Sequence, residues 1–199
     1  MLFGIGKRKT VEAMLAELAA VGISPRPGIG VDDLVAPASR AKVEKAGFEL
    51  LLCAMGDERF DPATNTVLDP LSDDVWHFDV EAIEDHGAYV YIVESCRRLT
   101  GGDLQFEGVR DYVDVDAGIA WVELSTNGQS QRIDLKVDND WVDPTIFAKL
   151  AQWLHEAGSK RRFATQGLGQ DLLMICKAPE QIAMINRATG LRFTEDFKI

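Results

Sequence analysis

The stretch from residue 72 to residue 90, "SDDVWHFDVEAIEDHGAYV", holds the side chains of this chain that are best suited to chemistry. It contains six carboxylates and two histidines. Four of these side chains are types that ligate zinc or a harder divalent cation: His77, Asp79, Asp85 and His86. A bound ion of this kind lowers the pKa of a coordinated water, so one hypothesis is a metal-dependent hydrolase.

The spacing of these four residues matches no metalloenzyme signature. The chain has neither an H-E-x-x-H pair nor an H-x-E motif joined to paired cysteines. Alternation in "VWHFDV" predicts a strand with His77, Asp79 and Glu81 on one face. A solvated or partner-facing strand edge explains these polar residues without an ion. The metal site is therefore the alternative hypothesis, and we expect no cofactor.

The net charge of −11 is concentrated in the middle of the chain. Residues 48–143 carry 22 acidic and six basic side chains, whereas residues 1–47 and 144–199 are both slightly basic. A field of this sign repels the phosphates of nucleic acids and accelerates the encounter with a basic protein. The charge pattern therefore excludes nucleic acid as a partner and favours a basic protein.

The main hypothesis is a non-enzymatic binding protein that docks a basic protein through an acidic face. Steering by complementary charge would be followed by desolvation of a few anchors. Trp141 lies between acidic turns and is the candidate anchor, since aromatic residues are enriched at interface centres. The predicted binding residues are Asp73, Asp74, Glu81, Glu84, Asp85, Asp138, Asp140 and Trp141. No oligomeric state is predicted.

Hydrophobic periodicity predicts the elements that must position these side chains. Apolar stripes and capping residues predict helices near the N-terminus and at 88–100, 143–157 and 179–189. Two alternating segments around Asn127-Gly128 predict a hairpin near 119–137. Helices come first and then mix with strands, which is typical of an α+β fold. We expect a single α+β domain over 1–199, with residues 1–47 as a helical segment packing on the core.

Three local assignments are less direct. The apolar run at 48–56 is too short to separate helix from strand by period, and helix is favoured. Residues 103–118, "DLQFEGVRDYVDVDAG", are interpreted as a short helix and a turn. Asp85 precedes the helix at 88–100 closely enough to serve as its N-terminal cap.

The chain carries no sign of secretion or membrane insertion. Its opening residues lack a signal-peptide pattern, and no stretch approaches the roughly 18 apolar residues of a membrane span. Cys53, Cys96 and Cys176 form no C-x-x-C pair and are expected to be reduced, buried side chains. We therefore expect a cytoplasmic protein with no membrane partner.

Several segments resemble a family of bacterial proteins that has no established activity. They are "GISPRPGIGVDDLV", the acidic stretch "PLSDDVWHFDVEAIEDHGAYV", "NDWVDPTIF" and "GQDLLMICKAPEQIAMINRATGLRF". The last segment also resembles the layout of small immunity proteins that accompany bacterial toxins. Immunity proteins of nuclease toxins are often acidic and act stoichiometrically, so this resemblance implies a basic toxin as the partner and no catalytic residues.

Overall fold

The computed structural model describes residues 8–197 apart from 58, 62, 65, 66, 69 and 127. The helices are α1 Val11–Ala20, α2 Val31–Val35, α3 Arg40–Ala46, α4 Phe48–Gly56, α5 Ala88–Leu99, α6 Thr145–Glu156 and α7 Pro179–Thr189. The strands are β1 Arg59–Phe60, β2 Val67–Leu68, β3 Val75–Asp79, β4 Glu107–Asp114, β5 Ile119–Thr126, β6 Gln129–Leu135, β7 Arg162–Gly167 and β8 Asp171–Lys177.

The strands form two three-stranded sheets and one short pair. One sheet has the order β3-β8-β7, the other has the order β4-β5-β6, and β1 pairs with β2. Every strand pair within the described residues is antiparallel. Helices packed on antiparallel sheets define the α+β class, so the predicted single α+β domain is confirmed.

The sheet β3-β8-β7 separates two hydrophobic cores. Trp76 and Phe78 on one face of β3 join the core that contains α5, α6 and the sheet β4-β5-β6. Val75 on the other face joins the core formed with α1, α4 and α7. Met174 and Ile175 of β8 divide between the two cores in the same way. The period-two alternation of a strand thus decides which core each side chain enters.

The described part of the N-terminal segment, residues 8–47, contains three helices, and α1 packs on the core. α1 begins after Thr10, whose side-chain oxygen accepts a hydrogen bond from the Ala13 N–H at 3.2 Å. This is the usual way to satisfy a free amide at a helix N-terminus. Val11, Met14 and Leu18 form the buried stripe of α1 and lie in the same core as Val75.

The hairpin prediction is confirmed. β5 and β6 pair in register, and Thr126 lies opposite Gln129 at the end of the ladder. Asn127, the first residue of the predicted turn, lies outside the described residues. Gly128 follows it with a φ of 74°, a conformation that glycine adopts without steric strain.

The helices predicted at 88–100, 143–157 and 179–189 are confirmed as α5, α6 and α7 with small shifts of their ends. The ambiguous segment 48–56 is the helix α4. α6 begins at Thr145 rather than at 143. Asp143 Oδ1 accepts a hydrogen bond from the Thr145 N–H at 2.9 Å, so Asp143 satisfies an amide at the helix start.

The interpretation of residues 103–118 as a short helix and turn is wrong. Residues 107–114 form the strand β4, which pairs with β5. The register shifts between Glu107 and Arg110, where Gly108 has a φ of 63°. Such a bulge inserts an extra residue into the strand. It interrupts the alternation of side chains, and this interruption hides the strand from an analysis of periodicity.

The assignment of Asp85 as the cap of α5 is also wrong. Its Oδ1 accepts a hydrogen bond from the His86 N–H at 2.6 Å, one residue before the first helical turn. The amides at the start of α5 instead donate to the carboxylate of Asp111 on β4. The cap is therefore supplied by a neighbouring strand rather than by the preceding loop.

The burial of the cysteines agrees in part with the expectation that all three are buried. Cys96 and Cys176 are buried and Cys53 is half-buried, and all three are free thiols. Within the described residues, every helix is too short or too polar to cross a membrane.

Candidate functional site

A cavity of about 410 Å³ lies between the edge strand β3 and the first half of α5. Its walls are largely apolar, and its polar lining residues are the more exposed ones. The apolar lining consists of Trp76, Phe78, Ala82, Ile83, Ala88, Tyr91 and Ile92. The polar lining consists of Asp57, His77, Asp79 and Asp171. Because the side chains of Asp57 and Asp171 are about half exposed, we place this polar group at the mouth of the cavity.

Aromatic contacts hold the inner wall in place. The rings of Trp76 and Phe78 stack with their centroids 3.9 Å apart, and Tyr91 meets Trp76 edge-on at 5.8 Å. Trp76 Nε1 donates a hydrogen bond to the Tyr91 hydroxyl at 3.3 Å. Offset and edge-to-face pairs of this kind add stability beyond the area they bury. The wall is therefore preformed rather than dependent on a ligand.

His77 lies between two carboxylates at the cavity mouth. Its Nδ1 is 3.4 Å from Asp57 Oδ1, and its Nε2 is 3.5 Å from Asp171 Oδ1. Asp171 is brought close by the pairing of β3 with β8. It lies opposite Asp79, and Leu173, two residues further along β8, lies opposite His77. Both ring nitrogens thus face an oxygen, which suits an imidazolium better than a neutral imidazole.

The environment of His77 favours its charged form. Burial lowers the pKa of His77, but hydrogen bonds and charge interactions with Asp57 and Cys53 outweigh burial and raise the pKa to about 10. His77 therefore carries its proton at neutral pH, and neither ring nitrogen has a free lone pair there. In this state His77 can donate hydrogen bonds, but it can neither ligate a metal nor accept a proton.

The end of α4 positions Asp57 against His77. α4 ends at Gly56, and its final turn packs directly on the backbone of β3. A Cβ at Gly56 would lie 2.8 Å from the backbone nitrogen of His77 and 2.9 Å from the carbonyl carbon of Trp76. Only glycine permits this approach, which sets Asp57 beside the imidazolium.

His86 lies at a different place, against β4. Its Nδ1 accepts a hydrogen bond from the Val113 N–H at 3.1 Å, and its ring packs on Tyr112 at 4.8 Å. The four predicted metal ligands do not converge, because the neighbours of His77 are Asp57 and Asp171. Among the residues that the structure describes, no group of three or more His, Cys, Asp or Glu side chains is arranged to hold a metal ion.

Two of the predicted binding residues, Asp73 and Asp74, form ion pairs with other segments of the chain. Asp73 Oδ1 is 2.6 Å from Arg26, and Asp74 Oδ1 accepts a hydrogen bond from Lys177 Nζ at 2.5 Å. Asp74 Oδ2 also accepts from the Ser24 N–H at 2.9 Å. These carboxylates anchor the N-terminal segment to β8, and their charge is largely neutralised by the basic partners.

The other acidic residues of the prediction lie together. The loop after β3 and the loop after β6 run side by side, because the Ile83 N–H donates to the Asp140 carbonyl at 2.9 Å and the Val142 N–H donates to the Val80 carbonyl at 2.8 Å. These two loops carry five carboxylates, which we call the acidic ridge: Glu81, Glu84, Asp85, Asp138 and Asp140.

The acidic ridge is separate from Asp73 and Asp74. The intervening β3 spans roughly 3.3 Å per residue, so Asp74 and Glu81 lie about 20 Å apart at opposite ends of the strand. Within the ridge, Asp138 pairs with Lys136 at 2.9 Å, and Glu81 accepts a hydrogen bond from the side chain of Gln170. Glu84 and Asp85 are exposed.

Trp141 is half-buried rather than free on the surface. Its backbone forms a bridge with Asp138, and its side chain packs against the larger of the two cores. It lines a small cavity of about 150 Å³ with Lys136, Asp143 and Pro144. One edge of the predicted anchor therefore remains available next to the acidic ridge.

Asp57, Asp171 and Tyr91 are site residues that the sequence did not single out. Asp171 joins the site through strand pairing, and Asp57 joins it through the packing of α4. Neither relationship has a local sequence signal. Tyr91 is one turn into α5, where helical spacing from the buried Tyr89 places it off the core stripe. Its position could have been predicted as facing a partner or a cavity.

Comparison with known proteins gives no match to a family model, to a curated protein or to a solved structure.

Proposed function

We propose that this protein is a non-enzymatic binding protein of the cytoplasm, acting as an immunity or adaptor protein, and that its acidic ridge engages a basic protein. The observation that carries the proposal is the pair of backbone hydrogen bonds that joins the Val80–Ile83 loop to the Asp140–Val142 loop. These bonds gather five carboxylates from two distant parts of the chain.

The charge of the ridge supports an electrostatic mode of association. Lys136 is the basic side chain paired within the ridge, where it bonds to Asp138. Complementary charge steers a basic partner toward the surface, and specificity follows from the contacts that form once water is displaced. Trp141 provides an aromatic edge at this surface, a residue type that is frequent at the centre of protein interfaces.

The chemistry of His77 supports binding over catalysis. A general base must have a pKa near the working pH, so that the group can take up a proton during the reaction. The pKa of His77, near 10, leaves the imidazolium protonated at neutral pH. The one histidine at the cavity mouth is thus better suited to hold Asp57 and Asp171 in position than to transfer protons.

The experiment is a binding titration with a defined basic probe, a 20-residue oligolysine, at increasing salt. The ridge variant carries Glu81→Gln, Glu84→Gln and Asp85→Asn. A matched control removes three exposed acids outside the ridge: Glu107→Gln, Asp116→Asn and Glu195→Gln. Both variants change the net charge by the same amount, so a difference between them reports position rather than total charge.

We expect the ridge variant to bind oligolysine roughly tenfold more weakly than the control variant does, because about three charge contacts are lost. Affinity of the natural protein should fall steeply with salt. Equal losses in both variants would show that only net charge matters, and the proposal would fail.

A further inference from the structure

We infer that the cavity between β3 and α5 binds one arginine side chain of a basic partner. This inference rests on the proposed function, since it assigns the cavity beside the acidic ridge to the same partner. Ile83 lines the cavity and belongs to the loop that carries Glu81 and Glu84, so the cavity and the ridge are adjacent. A partner that docks on the ridge can therefore lay a side chain across the opening of the cavity, with the charged end among the carboxylates at the mouth.

The walls suit the aliphatic part of a long side chain. Ala88 and Tyr91 are half-buried and present apolar and aromatic surface, whereas Trp76, Ile83 and Ile92 line the cavity but are themselves buried. Long cationic side chains lay their methylene groups against such surface and keep the charged end near polar groups.

The mouth suits the charged end of that side chain. Asp57 and Asp171 flank a single imidazolium and Asp79 also lines the cavity, so the three carboxylates leave the mouth negatively charged after His77 is counted. Each carboxylate can accept several hydrogen bonds, whereas His77 offers only two N–H donors. The mouth therefore has more acceptors than its own donors can satisfy.

A guanidinium fits this set of acceptors better than an ammonium does. Asp57 and Asp171 lie on opposite sides of the His77 ring, so their oxygens are spread over the mouth rather than focused on one point. A guanidinium has five N–H donors in one plane, stacks on aromatic rings and is weakly hydrated. An ammonium is a compact and strongly hydrated charge.

Other occupants are disfavoured by the same groups. An anion would be repelled by the three carboxylates. A neutral apolar side chain would remove water from Asp57 and Asp171 without replacing the lost hydrogen bonds. A second copy of this chain that paired symmetrically would bring its own acidic ridge against this one, and like charges oppose that contact.

The experiment uses Nα-acetyl-arginine N-methylamide as the probe and NMR signals of the natural protein as the readout. The Trp76 indole N–H and the Tyr91 ring report on the cavity. The neutral analogue with citrulline has nearly the same shape and lacks the charge, and the lysine analogue tests the choice of cation. We expect the arginine probe to shift the cavity signals and to bind roughly tenfold more tightly than citrulline, and more tightly than lysine.

Two variants locate the binding. Asp171→Asn removes one charge at the mouth, and Ala88→Leu fills the cavity while leaving all charges in place. Asp116→Asn and Ala183→Leu are matched controls at exposed positions away from the cavity. We expect Asp171→Asn and Ala88→Leu to weaken the arginine probe at least about fivefold and the controls to leave it unchanged. Thermal unfolding of each variant establishes that it is folded.

The outcomes separate this inference from the proposed function. If the ridge variant loses oligolysine binding while the arginine probe leaves the cavity signals unmoved, the cavity assignment is wrong and the binding function stands. Equal binding of citrulline, tighter binding of lysine, or arginine binding that survives Ala88→Leu would each overturn the arginine site as well. If neither oligolysine nor the arginine probe binds, both proposals fail.

Discussion

Asp111 Oδ2 accepts a hydrogen bond of 2.9 Å from the Tyr89 N–H, which joins strand β4 to the first turn of α5. The same carboxylate accepts from the Gly87 N–H at 2.7 Å and from the Val90 N–H at 3.2 Å. The first amides of a helix have no partner within the helix, and a carboxylate there also meets the positive end of the helix dipole. Asp111 thus fixes α5, which forms one wall of the cavity.

Asp111→Ala should lower the free energy of unfolding by about 1–2 kcal/mol, because three amides lose their acceptor at a helix start. Urea denaturation measures this change. Asp85→Ala is the matched control, since Asp85 precedes the helix in sequence and its carboxylate contacts the amide and the ring of the neighbouring His86 rather than the amides of α5. We expect the control to cost less than about 0.5 kcal/mol. A larger loss for Asp85→Ala than for Asp111→Ala would contradict the assignment of the cap.

Gly56→Ala should destabilise the protein by about 1–3 kcal/mol, because a Cβ would lie 2.8 Å from the backbone nitrogen of His77 and force α4 away from β3. Alanine favours a helix more than glycine does, so helix propensity alone predicts the opposite sign. Gly167→Ala is the control, as a Cβ there meets no atom within 4 Å. Denaturation of both variants decides between packing and propensity.

His77 should make stability depend on pH in the alkaline range. Its pKa is raised from 6.5 to about 10 in the folded protein, so folding is favoured fully below pH 6.5 and this contribution is lost as the pH rises toward 10. We expect the free energy of unfolding to fall up to about 5 kcal/mol more in the natural protein than in His77→Gln over this window, since each pKa unit corresponds to about 1.4 kcal/mol. Ionisable groups that do not contact His77 are common to both proteins and cancel in the difference.

NMR gives a direct check on the same residue. The ring protons of His77 should show no titration between pH 5 and 8, whereas a histidine with an unperturbed pKa changes its shift near pH 6.5. An inflection near pH 6.5 assigned to His77 would rule out the imidazolium at the cavity mouth.

Lys177 and Asp74 should be strongly coupled, because the side chain of Lys177 is only 9% exposed. Asp74→Asn should cost about 3 kcal/mol, since it leaves the buried ammonium without its carboxylate. Asp73→Asn is the matched change in an exposed pair with Arg26, and it should cost less than about 1 kcal/mol. A double-mutant cycle with Lys177→Met measures the coupling. If the two single changes add within about 0.3 kcal/mol, the pair is not coupled.

Much of the fold could be predicted because its signals are local. The alternation around Trp76 and Phe78, the stripe of α5 and the hairpin around Gly128 depend on neighbours a few residues apart. The strand β4 could not be recognised, because the bulge after Glu107 interrupts its period.

The site could be predicted only in part, because its contacts connect distant residues. Glu81 and Glu84 were found through composition, but their closeness to Asp140 depends on two backbone hydrogen bonds between the loops that carry them. Asp171 reaches His77 through a pairing of strands that lie about 95 residues apart, and Asp74 meets Lys177 by the same pairing. Acidic residues that lie close together in the sequence therefore divide into two groups, those of the acidic ridge and those that form ion pairs with other segments of the chain.

The pairing of Val75 with Ile175 has a consequence for how this protein is made. The core around α1 also contains Leu173, Ile182 and Phe193, so α1 cannot complete the burial of its apolar side until these residues have left the ribosome. At roughly 5–20 residues per second, translation of the stretch from residue 75 to residue 175 takes about 5–20 s. During that interval the nascent N-terminal helices must be shielded by chaperones or by transient contacts of their own.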